Sequence, residues 1–163
     1  FYNENELMQS AYYAKKIPHY WKELLDGQRE MVSILTARRI IYKVMKKYRI
    51  KDVFAYNANF DTTNLNWTLR YLTKSKYRWF FPYGTKYHCI WNMACQTILL
   101  QKNFYKFVID NALLSANGNI STSAETAYQY ITKDCGFNEA HTGLQDVLIE
   151  TEIMAKCFAQ HKK

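Results

Sequence analysis

Two short β-leaning runs, each followed directly by a segment with helical spacing, limit this chain to folds in which strands and helices alternate. The first run is Asp52–Tyr56 (DVFAY), and regularly spaced leucines follow it. The second run, Tyr87–Ile90, precedes a predicted helix from Met93 to about Leu100. Alternation of this kind is typical of the α/β class, so we expect an α/β fold.

The N-terminal third contains two further predicted helices. The spacing predicts a short helix over Glu6–Ala14 and an amphipathic helix over Glu30–Tyr48. Between them, Lys15–Gly27 is predicted to be a connection, because Pro18 and Gly27 punctuate it.

Near the C-terminus, a capping box and an apolar stripe predict the last two helices. Thr122 and Glu125 have the spacing of a capping box, and Gly136 is the expected residue after that helix ends. A final helix is predicted from Leu144 to about Ala159. Its expected buried stripe is Leu144, Val147, Leu148, Met154 and Phe158.

Size and charge narrow the functional classes. A chain of 163 residues is predicted to form one domain over 1–163, and its hydrophobic fraction of 48% excludes a disordered protein. No apolar run approaches the ~20 residues of a membrane span, so we expect no membrane partner. The net charge of +8 favours an anionic partner such as nucleic acid.

The first candidate site lies in AYNANFDTTNL, Ala55–Leu65, where a strand passes into a helix. Ligands bind at the carboxyl ends of strands in α/β sheets. Asp61 there offers hard oxygen ligands for a divalent cation, with Asn57 beside it. The alternative is that Asp61, Thr62 and Thr63 only cap the helix.

The second candidate site lies in EAHTGLQDVLIETEI, Glu139–Ile153. His141 precedes a predicted helix, and Asp146 falls in the first turns of that helix. A carboxylate that ligates a metal and an imidazole that accepts a proton from water are a hydrolytic pair. The alternative is a loop histidine and an aspartate favoured by the helix dipole.

Together, the strand–Asn-x-x-x-Asp–helix unit and the later His-x-x-x-x-Asp resemble the DEDDh 3′→5′ exonucleases. These form the DnaQ-like branch of the ribonuclease H-like fold, and the phage and bacterial enzymes are most similar. The resemblance covers nearly the whole chain, most specifically Val53–Leu65 and Ser121–Ile153. It implies a mixed sheet flanked by helices and a location in the cytoplasm of a bacterial or phage-infected cell.

The resemblance also implies a mechanism and a set of roles. Asp61 and Asp146 would ligate two divalent cations, Mg²⁺ or Mn²⁺, which clamp the terminal phosphodiester. His141 would act as the general base on the attacking water, so the catalytic set is His141, Asp61 and Asp146. Asn57 would bind the substrate, which is single-stranded DNA or RNA, and nucleoside monophosphates would be released.

One part of the family pattern is missing from this sequence. The family's first motif, Asp-x-Glu, has no counterpart, and Glu4 and Glu6 are interpreted as surface acids. Phe1–Asn3 would correspond to the third strand of the fold, so the first two strands are absent. Because their absence would leave one edge of the buried strand Asp52–Tyr56 unpaired, we expect that this chain does not fold or work alone. Either an upstream segment supplies the missing strands and acids, or the molecule was cut after it folded.

Two other functions stay open at this level. A non-catalytic nucleic-acid-binding module on the same fold would use basic residues and an aromatic loop for base stacking. That loop contains Trp79, Phe80, Phe81 and Tyr83, and its alternative role is packing over the core. A structural or interaction subunit without any nucleic-acid role is the third reading.

Overall fold

A computed structural model describes Ala14, residues 17–139 and residues 142–160 of the chain. Within these residues the chain forms seven helices and two strands, so the mixed α/β class is confirmed. In chain order they are α1 (Ile17–Leu25), α2 (Ile34–Lys47), β1 (Asp52–Ala55), α3 (Ala58–Leu72), β2 (Lys86–Cys89), α4 (Ile90–Cys95), α5 (Lys102–Asp110), α6 (Ala124–Thr132) and α7 (Gly143–Gln160).

The chain divides into two compact units, residues 1–40 and residues 41–163. In the first unit, α1 occupies the segment that was predicted to be a connection, so that prediction is wrong. Pro18 is the second residue of α1, where a missing N–H costs the helix nothing. The predicted helix Glu6–Ala14, apart from Ala14, and the predicted strand Phe1–Asn3 lie outside the described residues.

Helix α2 begins later than its apolar pattern predicted. The Ser33 hydroxyl accepts a hydrogen bond from the Thr36 backbone N–H at 3.1 Å, so Ser33 caps the helix. Met31, which falls within the predicted helix Glu30–Tyr48, precedes the observed helix and is exposed. Met45 is the buried residue of α2.

The two strands form a parallel pair whose position the sequence predicted within one residue. Asp52 is in register with Lys86, and Ala55 with Cys89. Phe54 stacks on the neighbouring His88 with ring centroids 4.7 Å apart. Within the described residues β1 pairs with β2 alone, so the other edge of β1 lacks a strand partner there.

The core lies among helices α4 to α7, with Phe54 and Tyr56 of the β1 segment packed against it. Helix α7 packs against both α4 and α6. Helix α5 was not predicted, and the predicted helix Met93–Leu100 is wrong, because α4 runs from Ile90 to Cys95. The side chains that are almost fully enclosed are Phe104, Leu69, Ile90, Ile98, Ile153, Val108 and Cys157.

Helix α6 is capped one residue later than predicted. The Ser123 hydroxyl, not that of Thr122, accepts a hydrogen bond from the Thr126 backbone N–H at 3.1 Å. The Glu125 carboxylate instead accepts from the Glu139 backbone N–H at 2.8 Å. Lys133, with φ of 62°, takes the left-handed position after the helix, so the assignment of Gly136 to that position is wrong.

Helix α7 has the predicted extent, but it buries a different face. Ile149, Ile153 and Cys157 are its buried residues. Of the predicted stripe, Met154 is partly buried against the core, whereas the remaining four residues are exposed, namely Leu144, Val147, Leu148 and Phe158. Apolar residues occur around most of this helix, so periodicity alone selected the wrong face.

Candidate functional site

A sharp turn at Asn57 redirects the chain between the end of β1 and the start of α3. Asn57 adopts the left-handed conformation, with φ of 66° and ψ of 49°. That conformation is more accessible to asparagine than to most residues that carry a Cβ. Asn57 stands at the N-cap without a side-chain capping bond, and Asp61 lies in the first turn. Asp61 is therefore not the N-cap residue of α3, and its carboxylate interacts with its own backbone N–H in the first turn.

Asp146 lies in the first turn of α7, and its environment is unusual for a carboxylate. Its backbone N–H donates to the Thr142 carbonyl at 2.9 Å. Its Oδ1 atom is buried and has no hydrogen-bond partner within the described part of the chain. Since buried polar atoms are nearly always paired, this oxygen is suited to an added donor or a cation. His141, the predicted general base, lies outside the described residues.

Glu150 lies one helical turn after Asp146, on the same side of α7. Burial raises the pKa of the Glu150 carboxyl to about 7, and the nearby acids Asp61 and Asp146 contribute to the increase. A hydrogen bond from the Tyr56 backbone N–H acts in the opposite direction. That bond attaches the middle of α7 to the residue that follows β1.

Asp61 belongs to the same group of acids. Asp61 is an exposed residue, yet partial burial of its carboxyl raises the pKa of this group, its own backbone N–H lowers it, and Asp146 raises it further. Asp61, Asp146 and Glu150, from here on the acidic cluster, therefore repel one another near the carboxyl end of β1. Among the described residues, no three His, Cys, Asp or Glu side chains stand close enough together to form a complete metal-binding group.

Hydrogen bonds hold this end of β1 in place. The Tyr56 hydroxyl donates to the Thr122 carbonyl at 2.6 Å, and the Trp91 indole N–H donates to the Thr122 hydroxyl at 3.3 Å. Burial raises the pKa of the Tyr56 phenol, so its hydroxyl stays protonated as a donor. Residues before α6 are in this way joined to β1 and α4.

Sequence reasoning identified two of the three acids and missed the third. Glu150 was visible in principle, because residues four apart on a helix are neighbours and Asp146 was already a candidate. Asn57, predicted to bind substrate, is exposed at the start of α3. Glu4 and Glu6, interpreted as surface acids, lie outside the described residues.

The aromatic loop separates into two pairs. Phe80 is buried, and Phe81 makes edge contacts with Phe80 and Tyr87, as expected for packing. Trp79 and Tyr83 are exposed. Part of the loop therefore packs, as its alternative role predicted, and part of it faces solvent.

No family model, curated protein or solved structure matches this chain. Within the described residues, none of the helices combines the length and the apolar character that crossing a membrane requires.

Proposed function

We propose that this protein is a metal-dependent 3′→5′ exonuclease that hydrolyses single-stranded DNA or RNA to nucleoside monophosphates. One observation carries the proposal. Asp61 and Asp146, separated by 85 positions in the sequence, interact electrostatically near the end of β1, and Asp146 Oδ1 is buried without a partner. The resemblance of the surrounding motifs to DEDDh exonucleases supports the assignment.

The acidic cluster fits divalent cations in its donor chemistry. Carboxylate oxygens are the ligands that Mg²⁺ and Mn²⁺ prefer. Burial and mutual repulsion raise the pKa of Glu150 and Asp61, and a bound cation would relieve the repulsion. Asp61 and Asp146 would hold two such cations, which would stabilise negative charge on the attacking and leaving oxygens of the phosphodiester.

The other residues of the site have separate tasks in this proposal. His141 accepts the proton of the attacking water. Asn57 contacts the 3′ end of the strand. Glu150 keeps α7 attached to the backbone after β1 through the Tyr56 N–H, and so orients Asp146.

The finer fold assignment is part of the same proposal. The parallel pair of β1 and β2 would belong to a ribonuclease H-like mixed sheet. The edge of β1 without a strand partner in the described residues would receive an upstream strand that carries the Asp-x-Glu acids. This proposal gives the cluster its remaining ligands.

Degradation of a 5′-labelled single-stranded oligonucleotide with and without Mg²⁺, by the protein together with the proposed upstream segment, tests the activity. We expect shortening from the 3′ end that EDTA stops, and a loss of at least about 1,000-fold in Asp146→Asn. Glu152→Gln is the matched control, because it removes the same charge from an exposed position on the same helix. Equal activity in Asp146→Asn and Glu152→Gln would contradict the proposal.

Thermal unfolding gives a second readout that does not depend on activity. Mg²⁺ that binds only the folded protein raises its Tm. We expect this increase in the wild type and in Glu152→Gln, and a smaller one in Asp146→Asn. An oligonucleotide that binds without being degraded, with no effect of Mg²⁺ on Tm, would instead favour the non-catalytic binding module.

A further inference from the structure

The C-terminal half of α3 presents aromatic side chains to solvent at a distance from the acidic cluster. Trp67 and Tyr71 are 65% and 73% exposed. They are four residues apart, so they occupy the same side of the helix. Trp79, in the loop after α3, is 60% exposed. Trp67, Tyr71 and Trp79 are together called the aromatic surface below.

Contacts between α3 and the following loop hold Trp79 beside the helix. The Arg70 guanidinium lies 5.5 Å from the centre of the Trp79 ring. The Arg70 Nε atom donates to the Arg78 carbonyl at 3.4 Å. One helical turn earlier, the Asn66 Oδ1 atom accepts from the Phe80 backbone N–H at 2.8 Å. The loop is thus connected to α3 on both sides of Trp79, and the surface is preorganised.

The charged residues in this stretch of the sequence have one sign. Between Asp61 and Asp110 the sequence has no Asp or Glu. The Lys and Arg residues in that stretch are Arg70, Lys74, Lys76, Arg78, Lys86, Lys102 and Lys106. Four of these cations fall within nine residues, between the end of α3 and Trp79.

We propose that the aromatic surface stacks the unpaired bases of a single-stranded nucleic acid while the Lys and Arg residues between the end of α3 and Trp79 contact its phosphates. Exposed aromatic rings within a cationic region are the recurrent means of binding single strands without sequence preference. A duplex would leave the rings unused, because its bases face inward and are already stacked. This inference rests on the proposed function, in which nucleic acid is the ligand.

The position of the surface determines which nucleotides it contacts. At a rise of about 1.5 Å per residue, Trp67 lies ~9 Å and Tyr71 ~15 Å along the helix axis from Asp61. The surface therefore acts on nucleotides upstream of the bond that is cleaved. It contributes to the affinity for long strands and not to the chemical step.

Binding of a 5′-fluorescein (dT)₂₀ oligonucleotide in EDTA, followed by anisotropy, tests the inference. The double variant Trp67→Ala/Tyr71→Ala should bind at least about 10-fold more weakly, since each stacked base contributes substantially. Tyr48→Ala is the matched control: Tyr48 is also an exposed tyrosine, with the Lys47 ammonium 5.0 Å from its ring centre. Unchanged affinity in the double variant, or an equal loss in Tyr48→Ala, would overturn the inference.

Kinetics on a short substrate separate this surface from the catalytic site. The double variant should hydrolyse p-nitrophenyl thymidine-5′-phosphate at the wild-type rate while its KM for (dT)₂₀ increases. Equal losses on both substrates would overturn the inference. So would unchanged oligonucleotide binding with conversion of an oligomer to monomer, which would make the surface an interface between copies.

The same measurements distinguish failure of the two proposals. Weakened (dT)₂₀ binding in the double variant, with no degradation by the wild type, would refute the exonuclease and retain the surface. Mg²⁺-dependent degradation by the wild type, with no effect of the double substitution on binding or KM, would refute the surface and retain the exonuclease.

Discussion

Helices α3 and α7 each have a candidate acid in the first turn, but they expose different kinds of apolar side chain to solvent. Each carries a candidate acid in its first turn, Asp61 in α3 and Asp146 in α7. Each also presents large apolar side chains to solvent. On α3 the exposed side chains include Trp67 and Tyr71, whereas on α7 they include Leu144 and Leu148.

The difference teaches that equal exposure does not mean equal function. Aromatic rings offer a face that stacks on bases and attracts cations. Aliphatic side chains offer only apolar surface, whose burial against another apolar surface is favourable. The exposed face of α3 is therefore suited to a nucleic acid, and that of α7 to packing against protein.

The first prediction compares the buried face of α7 with its exposed face by the loss of stability on substitution to alanine, and it has the largest expected value. Ile153→Ala should lower the free energy of unfolding by about 3 kcal/mol, because it opens a cavity in the core. Leu148→Ala should cost less than about 0.5 kcal/mol. Denaturant unfolding measures both. A similar cost at Leu148 would show that this face is covered in the protein.

The second prediction concerns the pH dependence that the acidic cluster introduces. The pKa of Glu150 is about 7 in the folded protein, against an ordinary 4.5. Because the folded state holds this proton more tightly, its contribution to stability is full below pH 4.5 and is lost as pH rises to 7. Glu150→Gln should therefore stabilise the protein at pH 8 by about 1 kcal/mol, after screening of this half-exposed group.

Unfolding of Glu150→Gln at pH 4 and pH 8 checks this sign. Glu152→Gln, which removes a carboxylate from an exposed position on the same helix, is the matched control. Stabilisation of Glu150→Gln that is larger at pH 4 than at pH 8 would contradict the raised pKa.

The third prediction separates the backbone role of Asn57 from its proposed role in binding. Asn57→Ala should destabilise the protein by about 1 kcal/mol, because alanine disfavours a φ of 66°. Asn57→Gly should cost nothing, or stabilise slightly. If the side chain binds substrate, KM increases equally in both variants. Loss of activity only in Asn57→Ala would leave Asn57 with a structural role alone.

The last prediction concerns the capped start of α6, in contrast to the start of α3, which has no side-chain capping bond. Its expected change in the free energy of unfolding is the smallest. Ser123→Ala should cost roughly 0.5–1 kcal/mol, because Ser123 accepts the Thr126 N–H. Glu125→Gln keeps an acceptor for the Glu139 N–H and should cost less. A larger cost at Glu125 would show that the charge of its carboxylate stabilises the start of α6 more than the Ser123 cap does.

Local patterns predicted what depends on neighbours in sequence. Both strands were found within one residue, because short β-leaning runs bounded by turns are distinctive. Helix α5 was missed although Phe104, Phe107 and Val108 have helical spacing. Pro18 in the segment of α1 predicts a connection, because proline usually interrupts a helix. Proline is nevertheless tolerated in the first helical turn, where α1 contains it.

What the sequence did not predict depends on tertiary packing. The buried face of α7 follows from which side α4 and α6 approach, and apolar residues occur on several sides of that helix. Glu150 joins the cluster only because α7 passes the end of β1. A pattern along one helix carries no information about the strand that it will meet.

The packing of α7 also determines when the fold can form during synthesis. Residues of α4 and α5 cannot be fully buried until α7 is present, because Ile90 and Phe104 share their core with Ile149 and Ile153. The Gln101 amide likewise donates to Gln160 Oε1 at 2.7 Å, across 59 positions. A nascent chain that has emerged only as far as α6 therefore lacks three buried residues of this core, Ile149, Ile153 and Cys157, and the core is completed only after α7 has emerged.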